Sequence, residues 1–315
     1  MENGYLPEGS LLRTGENLEY LASESMLERA MERHVTLESI AVLCDGDMNL
    51  HVDLGCMQGL MRREDTVFLS EGEELKDIAV LTRVGKPIAF KVIGFTKNEH
   101  GEKCALLSRR EAQRDCVLHH VEALLPGDVI RAKITHMESF GAFVDIGCGV
   151  VSLLPIDCIS VSRISHPRER FSVGDMLSVA VREKDDKGRV FVTHRELLGT
   201  WQENASLFEA GETVIGTVRS IESYGIFVEL TPNLAGLAEL REGVKVGDRA
   251  AVYIKSIIPE KMKVKLIIID SYAESTDEAP LDYYMTAENT AHLSYWRYSP
   301  PECPRVIESV FDERV

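Results

Sequence analysis

No run in the 315-residue chain approaches the ~18 apolar residues that a membrane-crossing helix needs, which excludes a helical transmembrane protein. The opening residues, MENGYLPEGS, have no basic patch followed by an apolar stretch, so no secretory signal is expected. No two of the seven cysteines (Cys44, Cys56, Cys104, Cys116, Cys148, Cys158 and Cys303) are spaced as CxxC. An odd number without close pairs fits free, mostly buried thiols in a reducing cytosol and argues against zinc. Cys116 lies near His119 and His120, but three such residues in a polar stretch read better as a solvated linker than as a metal site. GxSxG, HExxH and GxxxxGK[ST] are all missing, so catalysis is not expected. Gly147-Cys148-Gly149 follows a strand but leads into another strand-like run, whereas a dinucleotide loop must open a helix. No cofactor and no metal are therefore expected.

What is present is an ordinary globular composition, 44% apolar and 27% charged, with a net charge of −16. Taken alone, that charge argues against nonspecific binding of a polyanion. Its distribution weakens the argument. Residues 1–34 carry −4 and residues 271–315 carry −6, while 122–200 holds ten basic and eleven acidic residues and 211–270 holds eight of each. Two near-neutral segments thus lie between acidic ends, and such a module is able to carry a basic face.

The chain repeats itself. GDVIRAKITHMESFGAFVDI over 127–146 is matched by GETVIGTVRSIESYGIFVEL over 211–230, at a constant offset of 84. Ser152-Leu153 and Gly236-Leu237 follow, then Val173-Gly174-Asp175 and Val246-Gly247-Asp248. Between these landmarks the later copy is 11 residues shorter, and the extra residues of the earlier one, around CISVSRISHPRERF, read as a long exposed loop. A degraded third copy precedes them: Val52-Asp53-Leu54-Gly55-Cys56 mirrors Val144-Asp145-Ile146-Gly147-Cys148 at an offset of 92, without an FGAF counterpart. Ile130, Ala132 and Ile134 alternate with Arg131, Lys133 and Thr135, as do Leu177, Val179 and Val181 with their neighbours, which is strand periodicity. Five short strands in roughly 70 residues, repeated, point to small closed barrels of the oligonucleotide-binding type.

The fold class expected is mainly β: tandem five-stranded OB-fold barrels with short linker and terminal helices. The expected organisation is an N-terminal helical extension (1–34), a degenerate barrel (35–110), two further barrels (124–197 and 211–270) and an acidic, aromatic C-terminal extension (271–315). Leu18, Leu21, Met26, Leu27, Ala30 and Met31 place a helix over 15–33, and Leu198, Trp201 and Phe208 a linker helix over 196–209. The tail, with DYYM and YWRYSPP, is aromatic enough to pack on a barrel or a partner.

The ordered features FGAFVDIG, VGD and DxxGR, over 126–197, resemble the ribosomal protein S-one RNA-binding repeat, itself an OB-fold barrel. YGIFVEL, GL and VGD extend the resemblance over 211–270, and VDLGC, VGK and LSRREA extend it more weakly over 35–110. The whole arrangement is similar to the short three-repeat S-one-type proteins of Gram-positive bacteria. The resemblance implies that Phe140 with Phe143, and Tyr224 with Phe227, stack on bases. Residues three apart on a regular strand face opposite ways, so Gly141 and Gly225 are expected to bend the chain and bring both rings to one surface. The family's cation falls on Arg189 and, in the later copy, on Lys263; its aspartate falls on Asp185, with Pro259 at the later position. Arg131, Lys133 and His194 add positive charge on the same modules, and the long loop offers His166 or Arg168. Where the family often has a histidine, this chain has Pro155 and Glu239.

The function expected is single-stranded RNA binding, of mRNA at or near the ribosome in the cytoplasm, with small-subunit ribosomal proteins as further partners and no membrane. Two alternatives are an acidic adaptor that docks on the ribosome and a noncatalytic subunit in RNA decay or processing.

Overall fold

The computed structural model describes residues 5–69, 72, 74–98, 101–273 and 281–312. They form two compact units. One comprises residues 1–124 with the turn 145–151; the other comprises 125–144 with 152–315. Three closed five-stranded barrels account for most of the chain. The strands of the first are β1 (Leu37–Cys44), β2 (Leu50–Asp53), β3 (Gln58–Met61), β4 (Pro87–Lys97) and β5 (Lys103–Ser108). The second has β6 (Val129–Glu138), β7 (Gly141–Asp145), β8 (Val151–Pro155), β9 (Met176–Lys184) and β10 (Val190–Thr193). The third has β11 (Thr213–Glu222), β12 (Gly225–Thr231), β13 (Leu234–Ala238), β14 (Arg249–Ile258) and β15 (Lys263–Tyr272). In each, the first three strands form a meander, the fifth pairs parallel with the third and antiparallel with the fourth, and the fourth closes on the first. Closure leaves no open sheet edge.

Alternation along the strands fills the barrels. Val52, Val144 and Val228 occupy matching inward positions and are fully buried, as are Ala41, Ile134 and Val218 on the first strands. The first strand of barrels one and three carries a bulge, between Ala41 and Leu43 and between Val218 and Ser220. This increases the coiling that a small barrel requires.

The N-terminal helix expected over 15–33 is broken in two: α1 (Gly15–Leu21) and α2 (Glu24–Glu32). Ser23 breaks it, because its hydroxyl accepts from Met26 N–H at 3.3 Å and caps the second helix. Residues 77–81 form a short helix α3 (Asp77–Leu81). The stretch read as a solvated linker around Cys116 is in fact helical, with α4 (Arg109–Cys116) running on into a π-helical turn at Val117–Val121. Ser108 caps it, and Ala112, Cys116 and His120 are buried. Five of the seven cysteines are buried, and none is in a disulfide.

In the N-terminal unit Glu8 and Arg109 organise a buried polar cluster. Arg109 Nε and Nη2 donate to the two Glu8 oxygens at 2.6 and 3.1 Å, and Nη1 donates to Thr66 O at 3.1 Å. Glu8 N–H donates to Asp145 Oδ2 at 2.7 Å, and burial beside Glu8 pushes the Asp145 carboxyl up to about 6.

In the other unit the long loop between β8 and β9 is not an exposed excursion. Phe171 and Ile159 are buried, Ser162 N–H donates to Pro232 O at 3.0 Å, and Arg170 is ion-paired with Glu229. The linker helix shortens to α5 (Trp201–Ala205), opened by a capping box between Thr200 and Glu203. The C-terminal residues 281–312 pack on the barrels of this unit, as their aromatic content suggested. Trp296 and Tyr298 are buried, and β16 (Tyr295–Arg297) pairs with β17 (Glu308–Val310). Among the described residues no helix is long and apolar enough to cross a membrane.

Candidate nucleic-acid interface

The turn between β6 and β7 consists of Ser139 and Phe140, so Phe140 lies outside the strand and escapes its alternation. Phe140 is 54% exposed, and Tyr224, its counterpart between β11 and β12, is 67% exposed. Phe143 and Phe227 are half-buried on β7 and β12. The rings meet edge to face: Phe140 with Phe143 at 6.0 Å and 90°, Tyr224 with Phe227 at 6.1 Å and 89°. The geometry repeats because the glycine after the turn repeats. A Cβ on Gly141 would sit 2.5 Å from Leu154 O, and one on Gly225 would sit 2.6 Å from Ala238 O. Only a residue without a side chain lets the turn close this tightly on the third strand.

Side chains at paired positions of neighbouring strands share a face. On barrel three, Phe227 pairs with Ser220 and Leu237, Leu237 with Lys265, and Lys265 with Ser256. The ring therefore continues into a row that ends on a lysine. Lys255, Lys261, Lys263 and Lys265 are all exposed, and none makes an ion pair among the described residues. Tyr253, exposed and paired with Ile267, lies along the same strands. On barrel two, His136 stacks on Phe143 at 6.0 Å and 24°, and Leu153 pairs with Phe191. His136 and Phe191 escaped the sequence reading, although the alternation Val190 inward, Phe191 outward, Val192 inward was available to find the second.

The cations of barrel two are more committed than those of barrel three. Arg131 is exposed, but its Nε donates to Glu288 at 2.8 Å. Asp185 accepts from Arg189 N–H, Lys187 N–H and Arg189 Nε at 2.9, 3.0 and 2.7 Å. These bonds, led by the Arg189 backbone, hold the Asp185 carboxyl below its usual range and shape the turn that presents Arg189 to solvent. Lys133 is half-buried on β6, opposite Met176. His166 does not extend from its loop: its Nδ1 accepts from Arg168 N–H at 3.1 Å and caps a short 3-10 turn.

His194 must be removed from the interface, because it is fully buried. Its Nδ1 faces Ile159 O at 2.8 Å, so that nitrogen carries the proton, and Nε2 accepts from the Tyr283 hydroxyl at 2.8 Å. Phe171 and Tyr283 flank the ring, and burial holds its pKa down at about 4. A neutral, enclosed imidazole contributes no charge to an outer surface.

The degenerate barrel has a different face. Leu43 pairs with His51, His51 with Leu60, and Leu60 with Leu106. His51 takes the place of Phe143 and is held by Asp45 and Gln58 at 3.1 Å each, among leucines rather than cations.

Closed barrels of this strand order, with aromatic rings on the outer face, are OB-fold modules. Residues 125–195 match the model of the S1 (S-one) RNA binding domain family, and this segment is a domain of that kind. The chain is similar to small ribosomal subunit protein bS1 of Leuconostoc lactis, 31% identical over 153 residues that cover 44% of this chain and 35% of that protein. It is also similar to small ribosomal subunit protein bS1 of Mycolicibacterium smegmatis, 26% identical over 301 residues covering 90% and 60%. It spans between about a third and three-fifths of the length of such relatives. The solution structure of GSP13 from Bacillus subtilis is 30% identical over 22% of this chain and 55% of its own, with a TM-score of 0.21.

Proposed function

We propose that this protein binds single-stranded RNA through the outer faces of its second and third barrels, holding mRNA in a ribosome-associated, translational role in the cytoplasm without catalysing a reaction. The observation that carries the reading is the aromatic pair displayed at equivalent places on both barrels. Flat rings beside cations suit unpaired bases, since every base has a π-face and every linkage a phosphate. The S1 RNA binding domain match over 125–195 and the ribosomal names of the relatives support it. On this reading Phe140, Phe143, Tyr224 and Phe227 stack on bases, while Lys263, Lys265, Arg189 and Lys133 meet phosphates.

The test is the salt dependence of binding to an unstructured RNA. Each phosphate contact on a single strand contributes about 0.7 to the slope of log K against log salt. Replacing Lys263 and Lys265 with Gln should flatten the slope by about 1.4 if both make such contacts. A slope unchanged in that variant would remove the third barrel from the interface.

The apolar row Leu43, Leu60 and Leu106 favours a protein-docking role for the degenerate barrel, within the same molecule. Ribosome association that survives nuclease treatment and is lost on Leu43→Glu would support it.

A further inference from the structure

The second unit contains a cavity of about 420 Å³ that none of the stacking residues lines. At one end three guanidinium groups converge on two carboxylates. Arg219 holds Glu229 with two bonds, Nε to Oε2 at 3.0 Å and Nη2 to Oε1 at 3.1 Å, and reaches Glu169 at 2.7 Å through Nη1. Arg170 also donates to Glu229 Oε2, although that carboxylate is already engaged by Arg219. The Arg170 side chain is 5% exposed, yet its Nε has no hydrogen-bond partner. Arg249 donates to Thr217 Oγ1 at 2.9 Å and makes no ion pair among the described residues. Asp282 also lines the cavity, but it is exposed and its charge is screened by solvent. The buried end thus has more donors and more positive charge than its own carboxylates satisfy, and an unmet buried guanidinium N–H is costly.

The rest of the lining is of a different kind. Leu207 and Ile215 contribute aliphatic surface, and Tyr284 contributes a ring. That ring is fixed: its hydroxyl donates to Glu203 O at 3.1 Å, and it lies against Gly199, where a Cβ would come within 2.6 Å of it. A cavity with guanidinium forks at one end and a fixed flat ring with aliphatic neighbours elsewhere suits a ligand that is anionic at one end and planar at the other.

We propose that this cavity binds a nucleoside phosphate, with the phosphate on Arg170 and Arg249 and the base against Tyr284 and Leu207. The ligand is either a free mononucleotide or one nucleotide of an RNA strand; the chemistry recognised is the same. The proposal does not rest on the outward aromatic pairs, so either reading stands without the other.

Calorimetric titration of the full chain with GMP and with UMP tests it, with guanosine as the phosphate-free control. A free-nucleotide site predicts saturable binding of a nucleotide, guanosine weaker by about tenfold or more, and a loss of about tenfold in Arg249→Gln. Arg170→Met, assayed separately, should lose nucleotide binding too. A single-stranded oligonucleotide forms the second arm, with melting temperatures showing that each variant is folded. If the nucleotide comes from RNA, Arg249→Gln weakens oligonucleotide binding; if it is free, only GMP or UMP binding falls. No saturable binding of either nucleotide, together with oligonucleotide affinity unchanged in both variants, overturns the proposal. So does guanosine binding as tightly as GMP.

Discussion

Removing the two outermost rings separates stacking from folding. Phe140 and Tyr224 are 54% and 67% exposed and lie in turns, so truncating either to alanine opens no cavity. The structural loss is limited to one edge-to-face contact, with Phe143 or Phe227 respectively. Such a contact is worth roughly 0.5–1.5 kcal/mol when well packed, and less at this exposure. Stacking of a base on an aromatic side chain is worth roughly 1–3 kcal/mol, which converts to a loss of roughly 5- to 150-fold in affinity. Affinity should therefore fall far more than stability. The inner rings should behave otherwise: Phe143→Ala and Phe227→Ala remove half-buried side chains and should lower both.

Fluorescence anisotropy with a labelled, unstructured RNA at fixed salt reads the affinity, and urea unfolding reads the stability. Phe140→Ala, Tyr224→Ala and the double variant form the series. If one strand crosses both barrels, the two losses should approximately add, because the rings belong to separate barrels and share no partner. If each barrel binds its own strand, each single variant should abolish one of two binding phases. A double variant that binds within about twofold of the parent would refute the reasoning, since even the weakest stacking estimate predicts more for each ring.

Three further outcomes follow from the packing. Gly225→Ala places a methyl group 2.6 Å from Ala238 O and should destabilise the third barrel by roughly 1–3 kcal/mol, read as a lower urea midpoint. Arg109→Ala leaves the buried Glu8 carboxylate without its two-pronged partner and should cost about 3 kcal/mol, seen as faster hydrogen exchange in β4 and β5 of the N-terminal unit. His194 titrates near 4 when folded against an ordinary 6.5, so the unfolded chain takes up the proton first as the pH falls. The stability that this residue confers is complete above about 6.5 and is lost on descent towards pH 4, by up to roughly 3 kcal/mol. Urea unfolding of the second unit from pH 7 to 4 should show that loss, and His194→Gln should show a shallower slope across the same window.

The barrels were legible because their signal is local. Strand alternation, glycines after the aromatic turns and the DxxGR turn each lie within a few neighbouring residues. The errors concern partners far apart in sequence. His194 ends an outward-looking strand, yet Tyr283, 89 positions away, closes over it. The loop after β8 is rich in Ser, Arg and His and looks solvated, but Glu229 on another barrel ties it down through Arg170. Residues 109–121 are mostly polar, so their helix was hidden until Cys116 and His120 were seen to be buried. In each case a surface contributed by a distant segment decides the outcome, and no periodicity within the segment itself encodes that surface.

The same division explains how one architecture carries three surfaces. Ala41, Ile134 and Val218 point inward from the first strands, and Val52, Val144 and Val228 from the second, all apolar and buried, because barrel closure permits nothing else there. The outward positions beside them are under no such constraint. Where barrel two places Phe143 and barrel three Phe227, barrel one places His51; where they place Phe191 and Lys265, it places Leu106. Substituting an outward residue changes the available ligand without disturbing the inner packing. A ring and a lysine suit a base and a phosphate, whereas a row of leucines suits an apolar partner. The proposed division of labour, with RNA on barrels two and three and protein on barrel one, thus requires changes only at positions to which the fold is indifferent.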